Sequence, residues 1–145
     1  MVGGDKIFLD TDVALDHLAD RQPFAEYAHR LFALAERGEL TLCVSALSFS
    51  NHYYILRKLE GHGQALALLR KLKQLVRVSA VTEAEIQSAL AKPFKDFEDA
   101  IQYFTAKAEG GASAIITRNK ADYAASEILV LSPEEFLAMR EPAAD

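Results

Sequence analysis

The sequence predicts an α/β fold: a three-layer α/β/α arrangement around a central, mostly parallel sheet of about five strands. Three observations predict it. Short apolar runs alternate with segments of helical period along the whole chain, the pattern of strand–helix units. The runs are continuously apolar, as expected of strands buried on both faces in a parallel sheet. The first run, Ile7-Phe8-Leu9, passes straight into Asp10-Thr11-Asp12. In such sheets ligands gather beyond the carboxyl ends of the strands. A carboxylate there is costly unless a cation or hydrogen-bond donors pair with it. Asp10 and Thr11 would also serve as a cap for a helix beginning near Val13, and both readings stay open at this point.

The elements follow in order. Val13 to about Ala19 makes a short helix. Pro23 fits the first turn of the next, which carries Phe24, Tyr27, Ala28, Leu31, Phe32 and Ala35 at helical spacing and stops at Gly38. Thr41-Leu42-Cys43-Val44 is a second buried strand. Ser45 caps a helix running to about Leu59, and Gly61 and Gly63 punctuate. Gln64 to Lys73 is another helix, with Arg70, Lys71 and Lys73 on its outside. Val76-Arg77-Val78 is a third strand. Thr82-Glu83-Ala84-Glu85 reads as a capping box for a helix that Pro93 breaks. Asp96 to about Glu109 is a further helix, closed by Gly110-Gly111. Ala114-Ile115-Ile116-Thr117 is the fourth strand, Asn119 to Ala124 a short helix, and Ile128-Leu129-Val130 the fifth strand. Ser132-Pro133-Glu134-Glu135 has the cap, proline and acids of a helix start.

At 145 residues the chain reads as one domain, 1–145, large enough for a real core. Half the residues are hydrophobic and 26% are charged, ordinary for a globular protein. No apolar run approaches the roughly 18 residues that span a membrane, and the N-terminus lacks a signal-peptide core. Cys43 is the only cysteine. No internal disulfide can form, a Cys-based zinc site is not expected, and a reducing, cytoplasmic setting follows. The net charge of −5 argues against a surface wholly built for nucleic acid, though not against a local basic patch. The first six residues and the tail from Glu141 are expected to be loose.

Acids or their amides stand at element ends in four places. Asp10 and Asp12 follow the first strand. Asn51 lies on the helix after the second. Asp96 and Asp99 open a helix and, three apart, face the same way. Asn119 and Asp122 share that spacing after the fourth strand. Helix capping alone would also account for the last two pairs. His17, His29, His52 and His62 show no ligand spacing and read as surface or core-edge residues. Tyr53, Tyr54 and Tyr103 read as packing.

Together these stretches resemble the PIN-domain family of nucleases. The likeness rests on Phe8-Leu9-Asp10-Thr11-Asp12-Val13, Val44-Ser45-Ala46-Leu47 leading to Asn51, Asp96-Phe97-Glu98-Asp99-Ala100, and Ile116-Thr117-Arg118-Asn119-Lys120-Ala121-Asp122-Tyr123. They occur in the family's order and cover nearly the whole chain. The resemblance implies acids converging at the carboxyl edge of a parallel sheet, Mg²⁺ or Mn²⁺ held there, and hydrolysis of RNA phosphodiester bonds. It implies a toxin-like, single-domain member with an antitoxin protein as partner, and a homodimer. By position, Asp10 matches the family's first acid and Asp99 its third. Asn119 or Asp122 falls where the fourth lies. Thr117 matches a hydroxyl near the metal, and Asp96 is an extra acid on the same helix face. The second acid, usually Glu, falls on Asn51, which is a departure. The residue after Thr11 is often Asn in the family and is Asp12 here.

The chemistry accounts for such a set. Phosphodiester hydrolysis needs an activated water and relief of charge on the phosphate, which divalent ions supply. Mg²⁺ prefers a few carboxylates and several waters, so acids are expected without histidine or cysteine. The acids repel one another, and at least one carboxyl pKa should rise without metal. Arg118 and Lys120, with Arg57 and Lys58 at the end of the Asn51 helix, are the candidate RNA contacts. Two readings follow: a metal-dependent ribonuclease, or a non-catalytic PIN-like module binding RNA or protein, which Asn51 favours. A phosphate-binding α/β protein is disfavoured, because no glycine-rich loop follows a strand.

Overall fold

The computed structural model describes residues 5–91 and 94–140. Its centre is a five-stranded sheet with the order β3-β2-β1-β4-β5 and every neighbouring pair parallel. The strands are β1 (Asp5–Leu9), β2 (Leu40–Ser45), β3 (Val76–Ser79), β4 (Ala114–Ile116) and β5 (Val130–Leu131). Between them run α1 (Thr11–Leu18), α2 (Ala25–Glu36), α3 (Ala46–Glu60), α4 (His62–Leu75), α5 (Glu83–Ala91), α6 (Phe97–Glu109) and, at the end, α7 (Pro133–Arg140). The three-layer α/β/α arrangement expected from the sequence is the one observed.

The strand period of two sorts side chains between the layers. Ile7, Leu9, Leu42, Val44 and Ile116 point to one face, where they pack with Val13, Leu31, Phe32, Leu72 and Phe136. Phe8, Cys43 and Ile115 point to the other, against Tyr103, Ala106 and Tyr123. The chain winds outward from β1 to β2 to β3, then returns through α5 and α6 to β4 on the far side of β1. Crossovers keep one hand, so reversing direction moves the connecting helices to the opposite face. That reversal makes the gap between the carboxyl ends of β1 and β4 a topological switch point, where open α/β sheets bind ligands.

The expected caps form. Ser45 Oγ accepts from Ser48 N at 3.0 Å. Thr82 and Glu85 close a capping box, as do Ser132 and Glu135. Several boundaries differ from expectation. Asp5 and Lys6 are ordered in β1, paired with Arg140 and Glu109. Gly61, at φ +86°, does break the chain, but Gly63 lies inside α4. α1 starts at Thr11 and α2 at Ala25, β4 ends before Thr117, and β5 is shifted to Val130–Leu131. The segment after β4 is a 3-10 turn, Lys120–Tyr123. Pro93 and the tail from Glu141 lie outside the described residues. His52 is wholly buried rather than at the surface or core edge, and Tyr54 is exposed rather than packed. No helix among the described residues is long and apolar enough to cross a membrane.

One ionic knot ties the first helix to the fourth strand. Asp16 on α1 is only 1% exposed. Its carboxylate takes Arg21 Nε at 2.9 Å and Arg118 Nε at 2.8 Å, and Arg118 Nη2 adds a bond at 3.3 Å. The Arg118 guanidinium lies 3.8 Å over the Phe24 ring. Removing the acid would leave two guanidiniums without their partner. Replacing Asp16 with Asn should lower the unfolding free energy by about 2–3 kcal/mol, less than for a fully buried pair because both cations reach water. Urea unfolding measures it; a change below about 0.5 kcal/mol, the ordinary surface range, would show the knot to be dispensable.

Candidate functional site

At the switch point lies an open cleft of about 410 Å³ lined by Asp10, Thr11, Asp12, Asp96, Glu98, Asp99, Asn119 and Asp122, with Leu15, Arg21, Ile55 and Arg118. It draws together residues from β1, α1, α3, α6 and the turn after β4. All the acids singled out in the sequence line it.

Asp10 is placed most firmly. It follows β1 directly, and its backbone N–H bonds Ile116 O on β4 at 2.9 Å. Oδ1 accepts from Thr11 N at 2.8 Å and so caps α1, while Oδ2 accepts from buried Thr117 Oγ1 at 2.8 Å. The cap and the cleft carboxylate are thus the same group. Thr117 Oγ1 in turn accepts from Asn119 N at 3.0 Å. The Tyr123 hydroxyl lies buried beside Asp10 without a hydrogen bond of ordinary geometry. Burial, Asp10 and Asp99 hold that phenol protonated, well above its usual range.

Asp12 Oδ2 accepts from Arg118 N at 3.3 Å and Asn119 Nδ2 at 3.1 Å, and its Oδ1 is buried without a partner among the described residues. Asn119 therefore serves Asp12; it does not cap the turn that follows. Asp96 does cap α6, accepting from Asp99 N at 2.9 Å. Asn51 does not line the cleft. Its Nδ2 donates to Glu98 Oε1 at 2.6 Å, and Glu98 does line it.

The cleft is electrostatically loaded. Asp99 is pushed up to about 7 by burial and then by Asp10, Asp96, Asp122 and Glu98. Asp12 is also pushed up to about 7, by burial and then by Asp10. Burial raises Asp10 above the ordinary carboxylate range against the pull of Thr117 and Thr11, and Glu98 is raised by burial, Asp96 and Asp10. Among the described residues none of the six cleft carboxylates has an ion-pair partner. The two guanidiniums that reach the cleft are bound to Asp16 instead.

The residues expected to contact RNA are not gathered here. Arg118 lines the cleft but is held by Asp16. Lys120 pairs with Glu135 at 2.9 Å, and Arg57 and Lys58 are exposed in the last turn of α3, outside the cleft lining. Sequence reasoning missed Glu98, Arg21 and the buried polar layer beneath Thr11. In that layer Thr11 Oγ1 and Ser48 Oγ are 2.7 Å apart, and Gln102 Nε2 donates to both at 2.9 Å. His52 Nε2 holds Thr11 O at 2.9 Å. A lone Gln on an apolar helix face carries no signal of such a partner; Glu98 was visible in the acid run, but its contact with Asn51 spans 47 residues.

The donor set fits a hard divalent cation: carboxylate oxygens, a nearby amide, and no soft ligand in the lining. Among the described residues no three His, Cys, Asp or Glu side chains stand close enough to enclose an ion as placed. The cleft therefore supplies the donors and room for waters, the mode Mg²⁺ prefers, and not an all-protein cage.

A family model described as a PIN domain matches residues 6–121. Ribonuclease VapC1 of Aquifex aeolicus (strain VF5) is 28% identical over 140 residues, covering 93% of this chain and 95% of its own. Among solved structures, a toxin–antitoxin complex from Klebsiella pneumoniae aligns with a TM-score of 0.65 at 20% identity, over 88% of this chain and 97% of its own. VapBC2 from Rickettsia felis, bound to a promoter DNA fragment, gives 0.64 at 15% identity over the same shares. VapC20 of Mycobacterium tuberculosis, a toxin that cleaves the sarcin–ricin loop, gives 0.59 at 22% identity, over 75% of this chain and 86% of its own. These structures share the fold, and the family match runs from β1 into the turn after β4, across the elements that build the cleft: the chain belongs to the PIN-domain family.

Proposed function

We propose that this protein is a metal-dependent ribonuclease, the toxin half of a toxin–antitoxin pair, with Mg²⁺ or Mn²⁺ held at the cleft between β1 and β4. PIN-domain ribonucleases are generally metal-dependent. The observation that carries the reading is charge: six carboxylates line one cleft with no ion-pair partner among the described residues, while the nearby guanidiniums are held by Asp16. Asp10 is buried and Asp12 and Asp99 are half-buried, and holding such acids beside three more without counter-charge is unfavourable unless a cation completes the site. The relatives named as a ribonuclease and as parts of toxin–antitoxin complexes support the substrate class and the partner. A homodimer remains part of the proposal.

Asp10, Asp99, Asp122 and Asp96 would hold the ion. When bound, it supplies an activated water and relief of charge on the phosphate. Asp10 enters with both oxygens already directed, by Thr117 Oγ1 and Thr11 N, so little order is lost on binding. Asn119 keeps the Asp12 carboxylate turned to the cleft. The protonated Tyr123 hydroxyl can donate to Asp10 but cannot take a proton from water at neutral pH. A proton taken from that water would go to one of the cleft carboxylates.

Asp10→Asn and Asp99→Asn should each reduce Mn²⁺-dependent cleavage of RNA by more than about 100-fold, beyond the loss typical of groups that only support a ligand. Metal-free stability should stay equal or rise, because repulsion falls. Cleavage at the parent rate by either variant would remove that residue from the site.

The same shifts set a pH dependence. Asp99 moves from an ordinary value of 3.8 to about 7 on folding. The folded chain then holds protons that the unfolded chain has released, so this group's contribution is present below about 4 and is lost as pH rises through about 7. His17 and His52, both lowered to about 4 by burial, act in the opposite sense, so the comparison must be made against Asp99→Asn. Without metal, the parent should lose stability relative to that variant between pH 4 and pH 7, and Mn²⁺ should raise its melting temperature more at pH 7.5 than at pH 5.5. Parallel curves for the two proteins would show that Asp99 is not titrating in this range.

A further inference from the structure

Asn51 and Glu98 come from distant parts of the chain and meet at the cleft rim. Asn51 is the sixth residue of α3, and Glu98 stands in the first turn of α6. The 2.6 Å bond from Asn51 Nδ2 to Glu98 Oε1 is the only hydrogen bond of the Glu98 carboxylate among the described residues. Its donor is neutral. An amide fixes the direction of a carboxylate and leaves its negative charge in place, whereas a lysine or arginine would cancel it. Three other exposed glutamates are matched to cations, Glu39 to Arg37, Glu127 to Lys107 and Glu135 to Lys120, while Glu83, outside the cleft lining, also takes an amide, from Gln87 at 3.4 Å. Glu98 has an amide and differs from Glu83 in sharing the cleft lining with Asp10 and Asp99.

We propose that Glu98 is a further acid of the metal site, and that Asn51 is a positioning residue that holds it there. This rests on the metal-dependent reading above. It also gives the departure at Asn51 a role: the charge absent from α3 is supplied from α6, and α3 keeps the part of directing it. The residue at 51 then acts on the ion through Glu98.

The test separates charge from tether. Glu98→Gln keeps an oxygen that accepts from Asn51 and loses only the charge. Asn51→Ala keeps the charge and loses the tether. Calorimetric titration of each with Mn²⁺ alone, at pH 7.5 and with no RNA present, reads the site apart from activity, and metal-free melting curves verify the fold. Glu98→Gln should bind Mn²⁺ about 10-fold or more weakly, and Asn51→Ala several-fold more weakly, within the roughly 10- to 100-fold range of groups that serve a metal ligand. A purely structural tether predicts the reverse order, with Glu98→Gln indistinguishable from the parent. If the parent binds Mn²⁺ and Glu98→Gln binds it equally well, this proposal fails and the metal-dependent reading stands. If the parent takes up no Mn²⁺, both fail together.

Discussion

The Asp10 carboxylate is the constraint around which this molecule is arranged. It is 7% exposed and, among the described residues, has two hydrogen-bond donors but no ion-pair partner. Directed hydrogen bonds can offset much of the desolvation of a carboxylate, but they leave its charge in a medium where charge acts over longer distances. Both donors depend on the sheet. Thr117 reaches Asp10 because β4 runs beside β1, in register from Ile7–Ala114 to Leu9–Ile116. Thr11 N is free to donate because α1 begins there. Take away the parallel pairing of β1 with β4 and the acid has no place in the fold.

The second arrangement that follows is a sorting of charge. α1 carries Asp12 and Asp16 four residues apart, on one face of the helix. Asp16 points inward and takes both Arg21 and Arg118. Asp12 lines the cleft and, among the described residues, receives only an amide and a backbone N–H. Were either guanidinium to turn to Asp12 or Asp10, it would fill the place where the cleft's negative charge is concentrated. The knot at Asp16 thus does two things with one geometry: it joins α1 to the end of β4, and it keeps the two guanidiniums that line the cleft from pairing with its acids.

Much of this was legible in the residues. Continuous apolar runs located β1, β2 and β4, and the acid that closes the first located Asp10, because strand period and strand ends are local properties; Thr117 was singled out by the family resemblance. Asp96 and Asp99 were found for the same reason: helix starts announce themselves through caps. What was not legible required knowing who meets whom across the fold. The partner of Asn51 is 47 residues away and that of Asp16, Arg118, is 102 away. Arg118 and Lys120 read as cations available to RNA, yet a basic residue gives no local sign of whether an acid elsewhere has claimed it. The shortness of β5 and the single-residue retreat of β4 belong to the same class, since edge and register are settled by neighbours and not by propensity.

The polar layer under Thr11 explains why the first turn of α1 can be held so firmly at the cleft. Gln102 is fully buried on α6, and its amide nitrogen bonds two hydroxyls, Thr11 Oγ1 and Ser48 Oγ, at 2.9 Å each. Ser48 is bonded in turn by the Ser45 cap of α3. One side chain therefore joins the N-terminal turns of α1 and α3 to α6, the three helices that carry Asp12, Asn51 and Asp99. His52 adds a fourth contact, to the Thr11 carbonyl, and its low pKa keeps it neutral there. Every group in this layer is uncharged. A charged group so close beneath the acids would either cancel their field or add to their repulsion, whereas neutral donors fix geometry and leave the field to be met from the cleft side.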